Sequence, residues 1–316
     1  MPIALRRRAL LAATAGLLAM PAIARAAAPL RIGFQKNGSL VIVRERRLLE
    51  QKGIAATFVE FSSGPPLLEA LNAGAVDFGA TGDTPPIFAQ AAGSALVYVG
   101  GQPIVGTNAG VMVRADGPVH TIADLRGKRL AFTKGSSAHN VAIKVLATAG
   151  LTPADVQQVF LQPPDAAAAF RSAALDAWSI WDPFFAIAQQ DPANRTLTTA
   201  EGIAPSNSFF MANRDFANAQ AETIVAVLTT INEAAAWARA NPEALAQVLS
   251  TVTGVPIVPQ RISAARGIYA VQPMDDRIIA QQQEIVDTFA RLRIIPSRID
   301  VRAAVWQHAW QAADAR

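Results

Sequence analysis

The stretch TGDTPPIFAQAAG, residues 81–93, joins a short apolar run to an apolar helix and predicts how the chain is built. Residues 76–80 before it are typical of a buried strand. Thr84 and Pro85 form a helix start, because proline is favoured where the N–H would have no partner. A strand that ends in such a helix start leaves N–H donors and a partial positive charge at one corner, which suits an anion.

The same junction of an apolar run with a capped helix start recurs along the chain, and a repeated junction is stronger evidence than a single one. The apolar runs are 30–35, 56–61, 129–133 and 175–181, and the helix starts follow at 38–39, 62–66, 135–137 and 182–183. Strands that alternate with helices predict an α/β fold with parallel-rich sheets flanked by helices. Ligands in such folds bind beyond the carboxyl ends of the strands, where these corners lie.

Two extended runs, 110–114 and 208–212, stand outside this alternation and bracket a unit of their own. We interpret them as segments that cross between two lobes. Residues 27–112 and 209–316 would form lobe one, and residues 113–208 would form lobe two, with a ligand cleft between them. Beyond residue 214 the pattern predicts helices to the end, most strongly at 278–292 and 301–310.

Residues 1–26 have the three parts of an export signal: arginines 6–8, an apolar run at 9–20 and the small-x-small site 24–26. Both Sec and Tat export stay open, because Arg6 stands where a twin-arginine signal favours Ser or Thr. This segment carries four arginines and no acid, so the rest of the chain has 24 basic and 24 acidic residues. No nucleic-acid footprint is therefore expected.

The sequence contains no cysteine, which excludes thiol nucleophiles and thiolate metal sites. An exported protein without disulfides fits a bacterial periplasm. The histidines at 120, 139 and 308 lack the spacing of metal ligands, and the GxSxG motif of serine hydrolases is missing. We therefore expect no metal, no cofactor and no catalytic residue.

Four segments resemble the aliphatic sulfonate-binding proteins of bacterial ABC importers: IGFQKNGSL (32–40), EFSSGPPLLEALNAGAVDFGATGDTPPIFAQAAG (60–93), DLRGKRLAFTKGSSAHN (124–140) and AFRSAALDAWSIWDPF (169–184). The resemblance implies a two-lobed periplasmic binding protein of the class with two hinge strands. It also implies a monomer that captures an aliphatic sulfonate and delivers it to a membrane permease. Ala173 stands where this family usually has glycine, which puts the shape of that turn in question.

A sulfonate is a permanent anion with three weak acceptor oxygens, so it needs hydrogen-bond donors more than a counter-ion. The expected ligand-binding donors at helix starts are Gly38, Thr84, Ser136 and Ser137. Gln35 follows the first strand and offers two further N–H donors.

Larger and charged residues near the predicted cleft have separate expected roles. Trp181 would form a wall for the alkyl tail, whereas Trp178 would lie in the core. Asp182 is predicted to cap a helix, with contact to a polar ligand tail or to the opposite lobe as the alternative.

Three more charged residues lie at the predicted corners. Asp83 is open to the same alternatives as Asp182. Lys36 and Lys134 would raise the local potential without touching the ligand.

Other functions remain open at this point. The same fold could bind taurine, nitrate, an aromatic sulfonate or a thiamine precursor. Some proteins of this fold are desulfinases or thiamine-precursor synthases, but these use a cysteine or a cysteine-rich motif, which this chain lacks. A binding protein is therefore favoured over an enzyme.

Overall fold

The computed structural model describes residues 28–267 and 270–312. The predicted export signal, residues 1–26, lies outside the described residues. Within the described ranges, no helix is both long and apolar enough to cross a membrane.

Two five-stranded sheets form the two lobes. The strands of lobe one are β1 (Leu30–Phe34), β2 (Ala56–Glu60), β3 (Phe78–Thr81), β4 (Leu96–Ile104) and β10 (Ser206–Asn213). Those of lobe two are β5 (Ala109–Arg114), β6 (Arg129–Phe132), β7 (Gln157–Phe160), β8 (Ala177–Trp181) and β9 (Asn194–Thr199).

The strand orders are β2-β1-β3-β10-β4 in lobe one and β7-β6-β8-β5-β9 in lobe two. In each sheet the first three strands are parallel, and the fourth runs antiparallel to both of its neighbours. The two lobes are therefore built on one plan. In both, the antiparallel strand is the first one formed after the chain crosses from the other lobe. This confirms the predicted two-lobed α/β fold.

Helices cover both faces of each sheet, because the inner parallel strands β1, β3, β6 and β8 carry buried apolar residues on both faces. Those described are α1 (Ser39–Glu45), α2 (Gly64–Asn72), α3 (Thr84–Ala91), α4 (Ser137–Thr148), α5 (Pro163–Arg171), α6 (Phe184–Gln190), α7 (Arg214–Ala219), α8 (Ala221–Ala240), α9 (Pro242–Thr253), α10 (Ile257–Arg266) and α11 (Asp276–Arg291).

The crossings between the lobes fall at residues 105–108, between β4 and β5, and at residues 200–205, between β9 and β10. The extended runs predicted as crossing segments, 110–114 and 208–212, instead lie within strands β5 and β10 of the two sheets. Each crossing therefore lies a few residues before the predicted lobe boundary, which was placed after residue 112 for the first crossing and after residue 208 for the second.

The helix expected at 301–310 is wrong. After a short 3-10 turn at Val301–Ala304, the chain runs beside β4 instead. The backbone N–H of Trp306 donates to the carbonyl of Tyr98 at 3.0 Å, and the indole N–H of Trp310 donates to the carbonyl of Val99 at 3.0 Å. The apolar residues of this segment repeat as in a helix, but hydrogen bonds to the edge strand β4 hold it in an extended path instead. The sequence analysis also did not predict strand β9.

Ala173 keeps the turn that glycine would make. Its φ of 56° is left-handed, as is the φ of 70° of Gly74 at the matching turn of lobe one. Both turns precede an Asp–Arg pair: Asp176 receives two hydrogen bonds from the Arg129 side chain, and Asp77 receives two from Arg31. The shape of this turn, which the sequence put in question, is therefore that of a glycine turn.

We predict that Ala173→Gly raises the free energy of unfolding by up to about 1 kcal/mol. The left-handed conformation costs an L-residue roughly 1–2 kcal/mol, and the greater chain entropy of glycine offsets about 0.5–1 of that. Urea unfolding of the two proteins checks this. The control is Ala174→Gly, an exposed neighbour without positive φ, which should lower stability. Destabilisation by Ala173→Gly would show that the turn carries no strain.

Candidate functional site

A cavity of about 90 Å³ lies between the lobes where the parallel strands of both sheets end. Residues at or just beyond the ends of β1, β3 and β8, and the start of α4, line it. The carboxyl ends of two sheets thus face one enclosed space, as the corners in the sequence predicted.

Five of the seven predicted site residues line this cavity. They are Gln35, Gly38, Ser136, Ser137 and Trp181. The other two, Thr84 and Asp182, do not.

Thr84 is fully buried, and its hydroxyl donates to Oδ1 of Asp83 at 2.8 Å rather than facing the cavity or capping α3. Pro85 and Pro86 also remove two backbone N–H donors from this helix start. The corner at 81–86 therefore offers fewer donors than the sequence suggested. Its contribution comes from Thr81 and Gly82, which do line the cavity.

Ser136 and Ser137 differ in what they can give a ligand. The hydroxyl of Ser136 donates to the carbonyl of Thr133 at 2.7 Å, so it stabilises the turn before α4. Ser137 is half-buried at the cavity. The N–H groups of Ser137 and Ala138 lie in the first turn of the helix, where no helical carbonyl reaches them. The start of α4 can therefore hold an anion through Ser137 and the backbone.

Two donors that sequence reasoning missed also face the cavity. Thr81 and Gln102 are 2% and 5% exposed, and among the described residues neither the Thr81 hydroxyl nor Nε2 of Gln102 has a hydrogen-bond partner. A buried polar group left unpaired costs about 1–3 kcal/mol, so a bound acceptor would relieve both. Thr81 could have been found as the end of a strand, whereas nothing in the sequence marks Gln102.

Gln35 adds a further donor. Its Nε2 lies 3.4 Å from the carbonyl of Ala80, a long hydrogen bond that leaves one N–H free. The side chain is half-buried at the cavity wall.

No charged side chain lines this cavity within the described part of the chain. Lys134 places its ammonium over the ring of Phe160 at 5.6 Å, and Lys36 lies 3.5 Å from Glu60. The cavity is therefore a neutral cradle of hydrogen-bond donors.

The two tryptophans of β8 lie on opposite sides of the sheet, because alternate residues of a strand do so in general and these two are separated by three positions. Trp178 is buried against Phe170 and Phe184, which confirms its predicted place in the core. Trp181 is half-buried and lines both the main cavity and an adjoining chamber of about 190 Å³. Phe61, Phe184 and two prolines line that chamber together with Trp181, so this part of its wall is suited to an apolar group, whereas the paired Lys36 and Glu60 line another part.

Asp182 lines a different space next to the main cavity. Its Oδ1 accepts the N–H of Ala186 at 3.0 Å in the first turn of α6, as a capping residue would. The same oxygen lies 3.4 Å from the Arg266 guanidinium on α10 of lobe one. Burial raises the pKa of Asp182 to about 6, against the opposing effect of Arg266. The carboxylate therefore caps a helix and also contacts the opposite lobe.

The lobes touch around the cavity through side chains of both. Oδ2 of Asp83 accepts from Asn140 of lobe two at 3.0 Å and from Ser206 of lobe one at 2.9 Å. Burial raises the pKa of Asp83, and these bonds work against that rise. Ser63 donates to Gln162 across the same cleft at 2.9 Å. The molecule is therefore in a closed arrangement, and Asp83 belongs to the closure rather than to the cavity lining.

His139 lies in the packing between the lobes. His139 is buried between the rings of Phe132 and Phe289, with centroids 4.7 and 5.2 Å away. Burial, helped by Lys134, lowers its pKa to about 4 and keeps it neutral. No cluster of potential metal ligands occurs among the residues that the structure describes.

Two lobes with matching sheets, two crossings and a donor-lined cavity between them define a two-lobed periplasmic binding protein. The NMT1/THI5 like family matches residues 40–245. A protein of Escherichia coli strain K12 described as an aliphatic sulfonates-binding protein is 39% identical over 303 residues, which cover 93% of this chain and 95% of that one. The chain therefore belongs to the NMT1/THI5-like family and, within it, to the aliphatic sulfonate-binding proteins.

Solved structures agree with this assignment. The alkanesulfonate-binding protein SsuA from Xanthomonas axonopodis pv. citri, bound to MOPS, is 41% identical with a TM-score of 0.86 over 88% of this chain and 98% of that one. The periplasmic aliphatic sulphonate binding protein SsuA from Escherichia coli is 38% identical, with a TM-score of 0.81 over 91% and 95%.

We predict that Gly82→Ala opposes lobe closure. A Cβ at Gly82 would lie 3.0 Å from both Cβ and Oγ of Ser137 in the other lobe, closer than such atoms normally approach. The φ of Gly82 is not positive, so alanine does not strain the open protein. Solution scattering should show a larger radius of gyration for the variant at saturating ligand, with an unchanged melting temperature without ligand. Equal radii in the two proteins would contradict the closed contact.

Proposed function

We propose that the chain is the periplasmic receptor of an ABC importer, which captures an aliphatic sulfonate between its lobes and delivers it to the membrane permease for sulfur uptake. One observation carries this proposal. The interlobe cavity has buried donors without partners and no charged lining residue in the described part of the chain.

The chemistry of the cavity fits a sulfonate better than more basic anions. A sulfonate keeps one charge at all working pH values and spreads it over three weakly accepting oxygens. Neutral donors at Thr81, Gln102 and Ser137 can meet these oxygens without a counter-ion. Each hydrogen bond to a charged group contributes about 1.5–3 kcal/mol, so a few of them can support micromolar binding, about 8 kcal/mol, after association costs.

The chamber beside Trp181 fits the aliphatic part of the ligand. Nitrate has no tail to occupy such a space, which favours an alkyl sulfonate over the smaller anion. The MOPS bound in the Xanthomonas relative is itself a sulfonate with a bulky far end, in keeping with this reading.

The remaining features of the proposal rest on the class of protein. The relatives are described as binding proteins, and the sequence has no cysteine for the desulfinase chemistry considered above. Export would depend on residues 1–26. A monomer suffices, because one chain supplies both walls of the cavity.

The direct test is isothermal calorimetry on the mature chain with ethanesulfonate, butanesulfonate, sulfate and nitrate. We expect micromolar or tighter binding of the two sulfonates and at least about tenfold weaker binding of sulfate and nitrate, about 1.4 kcal/mol. Preference for sulfate or nitrate would overturn the proposed ligand class.

The donors should matter more than the charge of Lys134. We predict that Thr81→Val and Ser137→Ala each weaken ethanesulfonate binding about tenfold or more, because each removes a hydrogen bond to a charged group. Lys134→Ala is the control, and at physiological salt it should change affinity by less than about threefold, since the Lys134 charge is screened and lies outside the cavity. A large loss for Lys134→Ala with small losses for the other two would contradict the neutral cradle.

Trp181 should make binding affinity depend on the length of the alkyl tail. Burying one methylene contributes about 0.8 kcal/mol, so affinity should rise roughly fourfold per carbon until the chamber is full. Trp181→Ala should flatten this rise across a C1 to C8 alkanesulfonate series and leave methanesulfonate binding nearly unchanged. Calorimetry on both proteins gives the two slopes. Parallel slopes would show that Trp181 is a structural residue.

A further inference from the structure

One face of helix α4 packs against lobe one, and His139 lies on this face. Its neighbours there also contact lobe one: Asn140 donates to Asp83 at 3.0 Å, and Lys144 pairs with Glu284 of α11. The first turn of the same helix lines the neutral cradle. The helix α4 therefore belongs both to the ligand site and to the contact between the lobes.

The imidazole of His139 is enclosed by rings from both lobes, and the residue is only 2% exposed. Phe132 and Phe160 come from β6 and β7 of lobe two, with ring centroids 4.7 and 6.4 Å from that of His139. Phe88 and Phe289 come from α3 and α11 of lobe one, at 6.3 and 5.2 Å. When the cleft opens, the second pair moves away with lobe one and water reaches the imidazole.

One nitrogen of His139 is bonded to the turn that precedes α4. Its Nδ1 accepts the backbone N–H of Gly135 at 3.3 Å. This contact requires a neutral ring with its proton on Nε2, because a protonated imidazole donates from both nitrogens. Gly135 directly precedes the two serines of the helix start and also packs against Phe88 of lobe one. His139 therefore holds the turn that shapes the cradle.

A positive charge on this imidazole is disfavoured in the closed molecule. Burial lowers the pKa of His139 to about 4, and the Lys134 ammonium adds to this effect. The surrounding elements α3, α11, β6 and β7 present phenylalanine rings to it. The other charged groups of this interface, Asp83, Lys144 and Glu284, are bonded to partners of their own. A protonated ring would lose its hydration without gaining a counter-ion.

We propose that His139 is a positioning residue for the neutral cradle and that it couples closure of the cleft to the loss of a proton from its ring. This inference rests on the proposed function, because a sulfonate must first bind in the cradle. A neutral ring holds Gly135 and packs between the lobes. A protonated ring leaves the Gly135 N–H without its acceptor and resists burial. The receptor therefore holds its ligand at neutral pH and releases it in acid.

The direction of the pH effect distinguishes His139 from the buried carboxyl groups. Burial raises the pKa of Asp83 and Asp182, so closure takes up protons at these two residues and is favoured as the pH falls. Burial lowers the pKa of His139, so closure is disfavoured there as the pH falls. With a pKa of about 6.5 in the open form and about 4 in the closed form, His139 alone weakens binding up to about tenfold between pH 7.5 and 5.5.

NMR titration of the wild-type mature chain tests the coupling directly. The chain has three histidines, so single variants assign their C2–H signals. We expect His139 to titrate near pH 6.5 in the free protein, and at least about one pH unit lower with saturating ethanesulfonate, because closure encloses the ring. An equal His139 midpoint in the two states would overturn the inference.

Calorimetry with ethanesulfonate at pH 7.5 and 5.5 measures the effect on binding. His139→Phe keeps an aromatic ring but can neither titrate nor accept the Gly135 N–H. His139→Asn cannot titrate either, but its amide oxygen offers that N–H an acceptor. We expect the ratio of Kd at pH 5.5 to Kd at pH 7.5 to be at least about threefold larger in wild type than in both variants. At pH 7.5, His139→Asn should bind more tightly than His139→Phe, and the reverse order would contradict the role of the Gly135 contact.

His120→Asn is the matched control, because His120 is an exposed histidine of the same lobe, and it should keep the wild-type ratio. If wild type binds ethanesulfonate and both His139 variants show the wild-type ratio, His139 does not couple closure to protonation and the receptor proposal stands. If ethanesulfonate does not bind wild type at pH 7.5, the proposed function fails and this inference falls with it.

Discussion

The burial of one carboxylate, that of Asp83, is the constraint on which the closed molecule depends. Asp83 is fully buried, and a carboxylate without partners there would cost several kcal/mol. Its oxygens are satisfied by Thr84, Asn140 and Ser206, and its carbonyl accepts from the Gln282 side chain at 2.6 Å. These partners come from α3, from α4 of the other lobe, from β10 and from α11, so the carboxylate ties together elements that lie far apart in the sequence.

This network also explains why the TGDTPP corner differs from the corner at α4. At α4, the turn residue Ser136 bonds to its own loop and leaves Ser137 and the helical N–H groups for a ligand. At α3, the polar atoms of Asp83 and Thr84 are used between elements of the protein. One corner thus holds the lobes in position, and the other is free to bind.

Much of the fold could be predicted because it depends on local patterns. Alternating apolar runs and capped helix starts predict parallel sheets, and the two isolated runs predicted two lobes even though they proved to be strands rather than the crossings themselves. The C-terminal segment could not be predicted in this way. Its apolar residues repeat as in a helix, but Trp306 and Trp310 find partners on the backbone of β4, a contact that no local pattern encodes.

The site follows the same rule. Residues at the end of a strand or directly beyond it, such as Trp181 and Gln35, could be placed at the cavity from the sequence. Gln102 could not, because it lies inside the long strand β4 and reaches the cavity only through the antiparallel pairing of β4 with β10. Thr84 failed for a related reason: a hydroxyl at a helix start can bond to its neighbour instead of to a ligand, and the choice depends on Asp83 beside it.

The absence of charge from the described lining of the cavity has a consequence for the conditions in which the protein works. The periplasm exchanges small ions with the outside medium, so its ionic strength follows the surroundings of the cell. A receptor that held its ligand with lysines or arginines would lose affinity in brackish water and gain it in fresh water, because salt screens such attractions. A cradle of dipoles in a closed cleft is screened far less. Uptake through this protein can therefore keep the same sensitivity from dilute to saline habitats.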